Sequence, residues 1–115
     1  MTAYIYLYIF IVMRTAYARK LPNDWSGIAQ FFDALGDATR QRILLLFEPG
    51  EEVGIKAIAG LFDCSRTSIV YHLNVLEEAG LLERRRAGRD VLYRLNKKHL
   101  TDVMIRVLAY VQKEA

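Results

Sequence analysis

The stretch from Ser65 to Leu95, SRTSIVYHLNVLEEAGLLERRRAGRDVLYRL, constrains the chain most, because the period of its apolar residues changes partway along. Ile69, Leu73 and Leu76 recur at i, i+4 and i+7, the spacing of one buried helix face. Ser65 stands where a side-chain oxygen can cap the first turn, and Gly80 where the helix should stop. Beyond Gly80 the pattern becomes alternating: Val91, Tyr93 and Leu95 interleave with Leu92 and Arg94, as in a half-buried strand. Leu82 to Arg86 and Val91 to Leu95 can therefore pair around Ala87-Gly88-Arg89-Asp90.

The polar side of this unit is equally specific. Arg66, Thr67, Val70, Tyr71 and Asn74 face away from the apolar stripe, a mixture that can donate, accept and touch a thymine methyl. Between Arg84 and Lys98 seven basic residues (Arg84, Arg85, Arg86, Arg89, Arg94, Lys97, Lys98) meet one acid, Asp90. That local +6 sits on a chain of formal charge +3, so the remainder is net −3. A charge run alone is commonly a solvated face. Placed beside a hydrogen-bonding helix, it is the electrostatic footprint of a polyanion partner.

Upstream, Ile28, Phe31, Phe32 and Leu35 form one helix face, ended by Gly36. Asp37 is placed to cap a second helix, whose apolar run Ile43 to Phe47 stops at Pro49-Gly50 and, with four aliphatic residues in a row, is expected to be central to the core. Near its start Arg40 and Arg42 gain nothing from the helix dipole and are read as exposed arginines, with a phosphate contact as the alternative. A short helix from about Ile55 to Phe62, the turn Asp63-Cys64-Ser65 and the helix after it make a helix-turn-helix. Downstream, Leu100, Val103, Met104, Val107, Leu108 and Val111 form a stripe wider than a lone surface helix needs, and it is assigned to dimerisation together with the first helix. The alternative is packing within its own domain.

The chain opens on eleven apolar residues, Ala3 to Met13. That is too short for a bilayer span of about 20 residues, and it lacks the basic flank and cleavage site of a signal peptide. Its β-branched and aromatic content favours a strand, with a buried helix as the alternative. It is expected either to pack into a dimer interface or to be an extension ahead of a natural start at Met13. With 115 residues, 53% apolar and 25% charged, the chain has the size of one soluble domain, small enough to gain from a second copy. A single cysteine, Cys64, fits a reducing cytoplasm.

Phe31 to Leu95 resembles the ArsR/SmtB family of winged-helix transcriptional repressors. Ala34-Leu35-Gly36-Asp37-Ala38-Thr39-Arg40-Gln41-Arg42-Ile43 is similar to that family's A-L-(A/G)-D-P-T-R-x-x-I opening, with Ala38 where proline is usual. Ile58-Ala59 stands for its Leu-Ala, and Ser65 opens the recognition helix. Ile69, His72, Leu73, Leu76 and Ala79-Gly80-Leu81 match V-x-x-H-L-x-x-L-x-x-A-G-L. The resemblance implies a dimer that binds a palindromic operator and releases it on a signal. In one subgroup that signal is a metal held by a Cys-x-Cys pair, which the alignment places on Gly54 and Lys56. A second family site uses Asp and His of the C-terminal helix, where this chain has only Asp102 and Glu114, with His99 just before. No metal or other cofactor is therefore expected, since such sites need several ligands together.

The expected fold class is mainly α with a small β-hairpin, a winged helix-turn-helix dimerising through its N- and C-terminal helices. Residues 1–24 would be an apolar extension and connector, and 25–115 the DNA-binding and dimerisation domain. Arg66, Thr67, Tyr71 and Asn74 are expected at base edges, with Ser68 and His72 nearer the backbone. His72 has the alternative of a satisfied half-buried histidine. Arg84, Arg85, Arg86 and Arg89 would meet phosphate or the minor groove. The expected partners are duplex DNA and a second copy, with no membrane; the inducer is open. Cys64 is read as a buried small hydrophobe, with a reactive thiol governing a redox-responsive repressor as the alternative. A winged helix that binds only protein is the competing class. No nucleophile with a base, carboxylate pair or phosphate loop suggests an enzyme.

Overall fold

A computed structural model describes residues 2–113; Glu114 lies outside them. The elements run α1 (Thr2–Arg19), a 3-10 turn (Asn23–Trp25), α2 (Ser26–Leu35), α3 (Ala38–Leu44), β1 (Glu52–Gly54), α4 (Ile55–Leu61), α5 (Arg66–Glu78), β2 (Leu82–Ala87), β3 (Asp90–Leu95) and α6 (Lys97–Gln112). Helices α2 to α6 surround one apolar core, and the strands form an antiparallel sheet in the order β1-β3-β2 on its edge.

The capping chemistry is the one the residues call for. Asp37 accepts from the backbone N–H of Arg40 at 3.1 Å and opens α3, and Ser65 accepts from Ser68 N–H at 3.1 Å and opens α5. At the far end of α5, Leu81 N–H reaches the Leu76 carbonyl (2.9 Å) and Gly80 N–H that of Glu77 (3.0 Å), a Schellman pair closed by Gly80 at φ +81°. Leu76 and Leu81, the two residues such a motif brings into contact, are both fully buried. Ile69 and Leu73 of α5 join them against Phe31 and Ala34 of α2, Ile43 of α3 and Ile58 of α4. Tyr93 seals the sheet side of this core and Val103 brings in α6.

The backbone N–H of Arg40 holds the Asp37 carboxyl below its ordinary value near 3.8. A carboxyl depressed on folding adds stability that is present above its unfolded value and is lost as pH falls through the folded one. Asp37→Ala is thus expected to lower the thermal midpoint by about 5 °C at pH 7. The difference from the parent should close below about pH 4, as thermal scans across pH would show.

Four expectations need correction. Ala3 to Met13 is helical, within α1, not a strand. The described chain offers no strand edge against it, and a helix satisfies its backbone groups internally. The helix is not buried either: none of its residues is, and the molecule measures 68 × 25 × 23 Å because α1 continues away from the body. The sheet has a third strand, β1, paired to β3 with Val53 opposite Tyr93. The run Ile43 to Phe47 is not all core: α3 ends at Leu44, and Leu45 is 84% exposed while Ile43 and Phe47 are buried. Finally, Cys64 is exposed in the turn before α5 instead of packing as a small hydrophobe.

The stripe on α6 is only partly used within its own domain. Val103 is buried, and Leu100 and Val107 pack on the domain's own core. Met104, Leu108 and Val111 continue the same apolar surface outward and stay about half exposed or more. Among the described residues no helix is long and apolar enough to cross a membrane.

Candidate nucleic-acid interface

Helix α5 sits with its apolar stripe sealed, which fixes the direction of every other side chain along it. Arg66, Thr67, Tyr71 and Asn74 are exposed, and among the described residues none of their side chains is hydrogen-bonded to the protein. These four, expected at base edges, share the outward side of a capped 13-residue helix. Ser68 and His72 are half-buried on one flank. Tyr71 leans edge-on against the His72 ring, their centroids 5.4 Å apart.

The flank carries a connection that sequence reasoning missed. Arg40 is not a free arginine. Its Nε donates to the Ala34 carbonyl (2.7 Å), its Nη2 to that of Asp33 (3.2 Å), and its Nη1 lies 3.2 Å from His72 Nδ1. Gln41 adds a bond from Nε2 to the Leu35 carbonyl at 2.6 Å. Residues from the first turn of α3 thus fold back onto the carbonyls at the end of α2, where positive charge is favoured, the Asp33 carbonyl accepting from the Gly36 N–H as well. The available signal was the cost of an arginine at a helix start, which the preceding helix end repays. Arg42 takes a different role, over the Phe62 ring at 4.9 Å.

In the wing, strand parity sorts the arginines. The register sets Arg84 opposite Tyr93, Arg85 opposite Leu92 and Arg86 opposite Val91. Arg84 and Arg86 therefore share the face of buried Tyr93, while Arg85 lies on the other with Glu83. Arg84 reaches back to Glu77 at the end of α5 (3.4 Å). Arg85 grips Glu52 of β1 with two bonds, its Nη2 at 2.7 Å from Oε1, and this holds the Glu52 carboxyl below its ordinary value. Arg94 pairs with Glu83 at 3.0 Å. Arg86 and Arg89 have no carboxylate partner among the described residues. Arg86 stands just before, and Arg89 within, a two-residue turn made by Gly88 (φ +64°) and Arg89 between the paired Ala87 and Asp90, as in a II′ hairpin. The wing tip therefore carries the uncommitted positive charge, and its base is a carboxylate-guanidinium lattice that stiffens the sheet.

The positions aligned with a metal-binding cysteine pair, Gly54 and Lys56, lie at the β1-α4 junction, where Gly54 precedes the first turn of α4. His99, expected just before the C-terminal helix, lies within the first turn of α6 and packs its ring on Gly80 and edge-on to Phe31, centroids 6.0 Å apart. Among the described residues no three His, Cys, Asp or Glu side chains converge.

Known proteins share this fold. A helix-turn-helix domain model matches residues 35–85. The transcriptional repressor SdpR of Bacillus subtilis is 35% identical over 82 residues, 71% of this chain and 90% of that protein. Among solved structures, an ArsR-like transcriptional regulator from Rhodococcus sp. RHA1 superposes with a TM-score of 0.68 at 30% identity, over 78% of this chain and 83% of the other. The homodimeric winged helix-turn-helix DNA-binding domain Mb0332 from Mycobacterium bovis gives 0.61 at 26% identity, over 83% and 93%.

Proposed function

The chain belongs to the ArsR/SmtB family of winged helix-turn-helix transcriptional regulators, and from that premise we propose that it works as a cytoplasmic homodimeric repressor reading a palindromic operator. Each α5 would enter a major groove, with the two-fold axis setting half-sites about one helical turn apart. The observation that carries this reading is the outward side of α5. Arg66, Thr67, Tyr71 and Asn74 are exposed there without intramolecular partners among the described residues, and so are Arg86 and Arg89 of the wing tip. Base edges would be read by the first group. Phosphate or the minor groove would be held by the second, with Ser68 and His72 at the backbone between them.

Binding should be tested with duplex DNA from upstream of the gene and a random duplex of equal length, titrated across salt. Four wing-tip guanidiniums in a dimer predict about a hundredfold loss of affinity between 50 and 200 mM salt, at roughly 0.9 per phosphate contact. A folded protein that shifts neither duplex at any salt would leave the protein-interaction class as the answer.

The dimer is proposed to form through residues 1–24 and α6. Helix α1 exposes apolar side chains on every side, from Tyr4 to Met13. Met104, Leu108 and Val111 of α6 are exposed apolar side chains as well, and exposed apolar surface of this kind marks an interaction site. A second copy is the occupant that a related homodimeric domain suggests. Because a two-fold axis counts each change twice, Leu108→Glu should raise the dimer dissociation constant about a hundredfold or more. Sedimentation velocity reads this directly, and an unchanged dimer would move the interface elsewhere.

A further inference from the structure

We infer that Arg40 is a positioning residue for the DNA interface: it fixes the His72 ring so that Nε2–H is a donor turned outward to a DNA phosphate oxygen. This rests on the DNA-binding reading above and gives one of its backbone contacts a mechanism. A guanidinium has only donors, so at 3.2 Å from Arg40 Nη1 the His72 Nδ1 must accept. The neutral ring then carries its proton on Nε2. The guanidinium cannot swing away easily, because its Nε and Nη2 are held by the Ala34 and Asp33 carbonyls and its own backbone N–H by Asp37.

His72 Nε2 has no hydrogen-bond partner among the described residues, yet it is not a buried unsatisfied atom. It therefore opens to solvent on a half-buried ring, on the flank of α5 next to the outward group. A fixed, unpartnered donor beside a face built to meet DNA has a polyanion oxygen as its natural acceptor. The chain of contacts runs from the end of α2 through Arg40 and His72 to the duplex. It ties the angle of the recognition helix to a rigid part of the core.

The test uses the full chain and the same two duplexes. His72→Ala should weaken both roughly three- to tenfold, the value of one hydrogen bond. It should leave the salt slope unchanged, since a neutral donor releases no counterion. His72→Gln, whose amide nitrogen reaches the Nε2 position, should restore affinity, whereas His72→Asn should not. Nitrogen-15 spectra of the His72 ring should show the Nε2–H form in the parent and a mixture of tautomers in Arg40→Met. The DNA effect of Arg40→Met should vanish in the His72→Ala background.

Several outcomes would overturn the proposal: unchanged affinity in a folded His72→Ala dimer, an Nδ1–H ring in the parent, or failure of His72→Gln to rescue. Each would do so while the parent still binds DNA. Absence of DNA binding by the parent would instead remove the underlying reading as well.

Discussion

Replacing Gly80 by alanine is expected to cost about 2–5 kcal/mol, a large share of the roughly 5–15 kcal/mol that holds a small domain together. Two separate effects combine. At φ +81° an L-residue pays about 1–2 kcal/mol that glycine does not. The new Cβ would also stand 2.6 Å from His99 Cδ2 and 2.8 Å from its Nε2, so the ring must move. That ring is packed against Phe31, and forcing such a shift costs about 1–3 kcal/mol more. Thermal scans should show a midpoint lower by about 10 °C or more.

The two parts can be separated. In a His99→Ala background the second disappears and the first remains. Gly60→Ala in α4 supplies the opposite control. Its Cβ would meet nothing within 4 Å, and it should stabilise by about 0.5–1 kcal/mol by restricting the unfolded chain. A Gly80→Ala protein as stable as the parent would mean that the Schellman turn and the α5-α6 junction are not what hold the recognition helix in place.

How legible these features were depends on how local their causes are. Ser65, Asp37 and Gly80 could be placed from sequence because a cap involves residues three to five apart. The stripe Ile69, Leu73, Leu76 and the alternation through Tyr93 are likewise written in adjacent residues. Strand β1 was hidden, since the three residues Glu52-Val53-Gly54 are too few to show a period and Val53 meets its partner Tyr93 40 residues on. Helix α1 misled because β-branched propensity is a preference for a half-buried sheet, and the fold provides α1 with no sheet to join. Arg40 was misread for a related reason: its partners, Asp33, Ala34 and His72, meet only when α2, α3 and α5 are packed. The pairing of Arg84 and Arg85 needed the strand register, which separates neighbouring arginines onto opposite faces.

That sorting of arginines leads to the second large effect. Arg66→Ala should weaken operator binding by about 1–3 kcal/mol, roughly 5- to 150-fold, while random DNA loses little, because a base-edge contact counts only where the right base is present. The double change Arg86→Ala, Arg89→Ala should behave in the opposite way. It removes charge that no carboxylate of the described chain neutralises, so operator and random duplex should weaken together. The slope of log affinity against log salt should flatten by nearly 4 for a dimer. Arg84→Ala and Arg85→Ala should flatten it far less, since each of those guanidiniums already faces a glutamate, Glu77 or Glu52. Anisotropy titrations at four or five salt concentrations separate the three classes. Equal losses on both duplexes for Arg66→Ala would remove it from base readout, and a slope as sensitive to Arg85 as to Arg89 would mean that DNA displaces the Glu52 pair on binding.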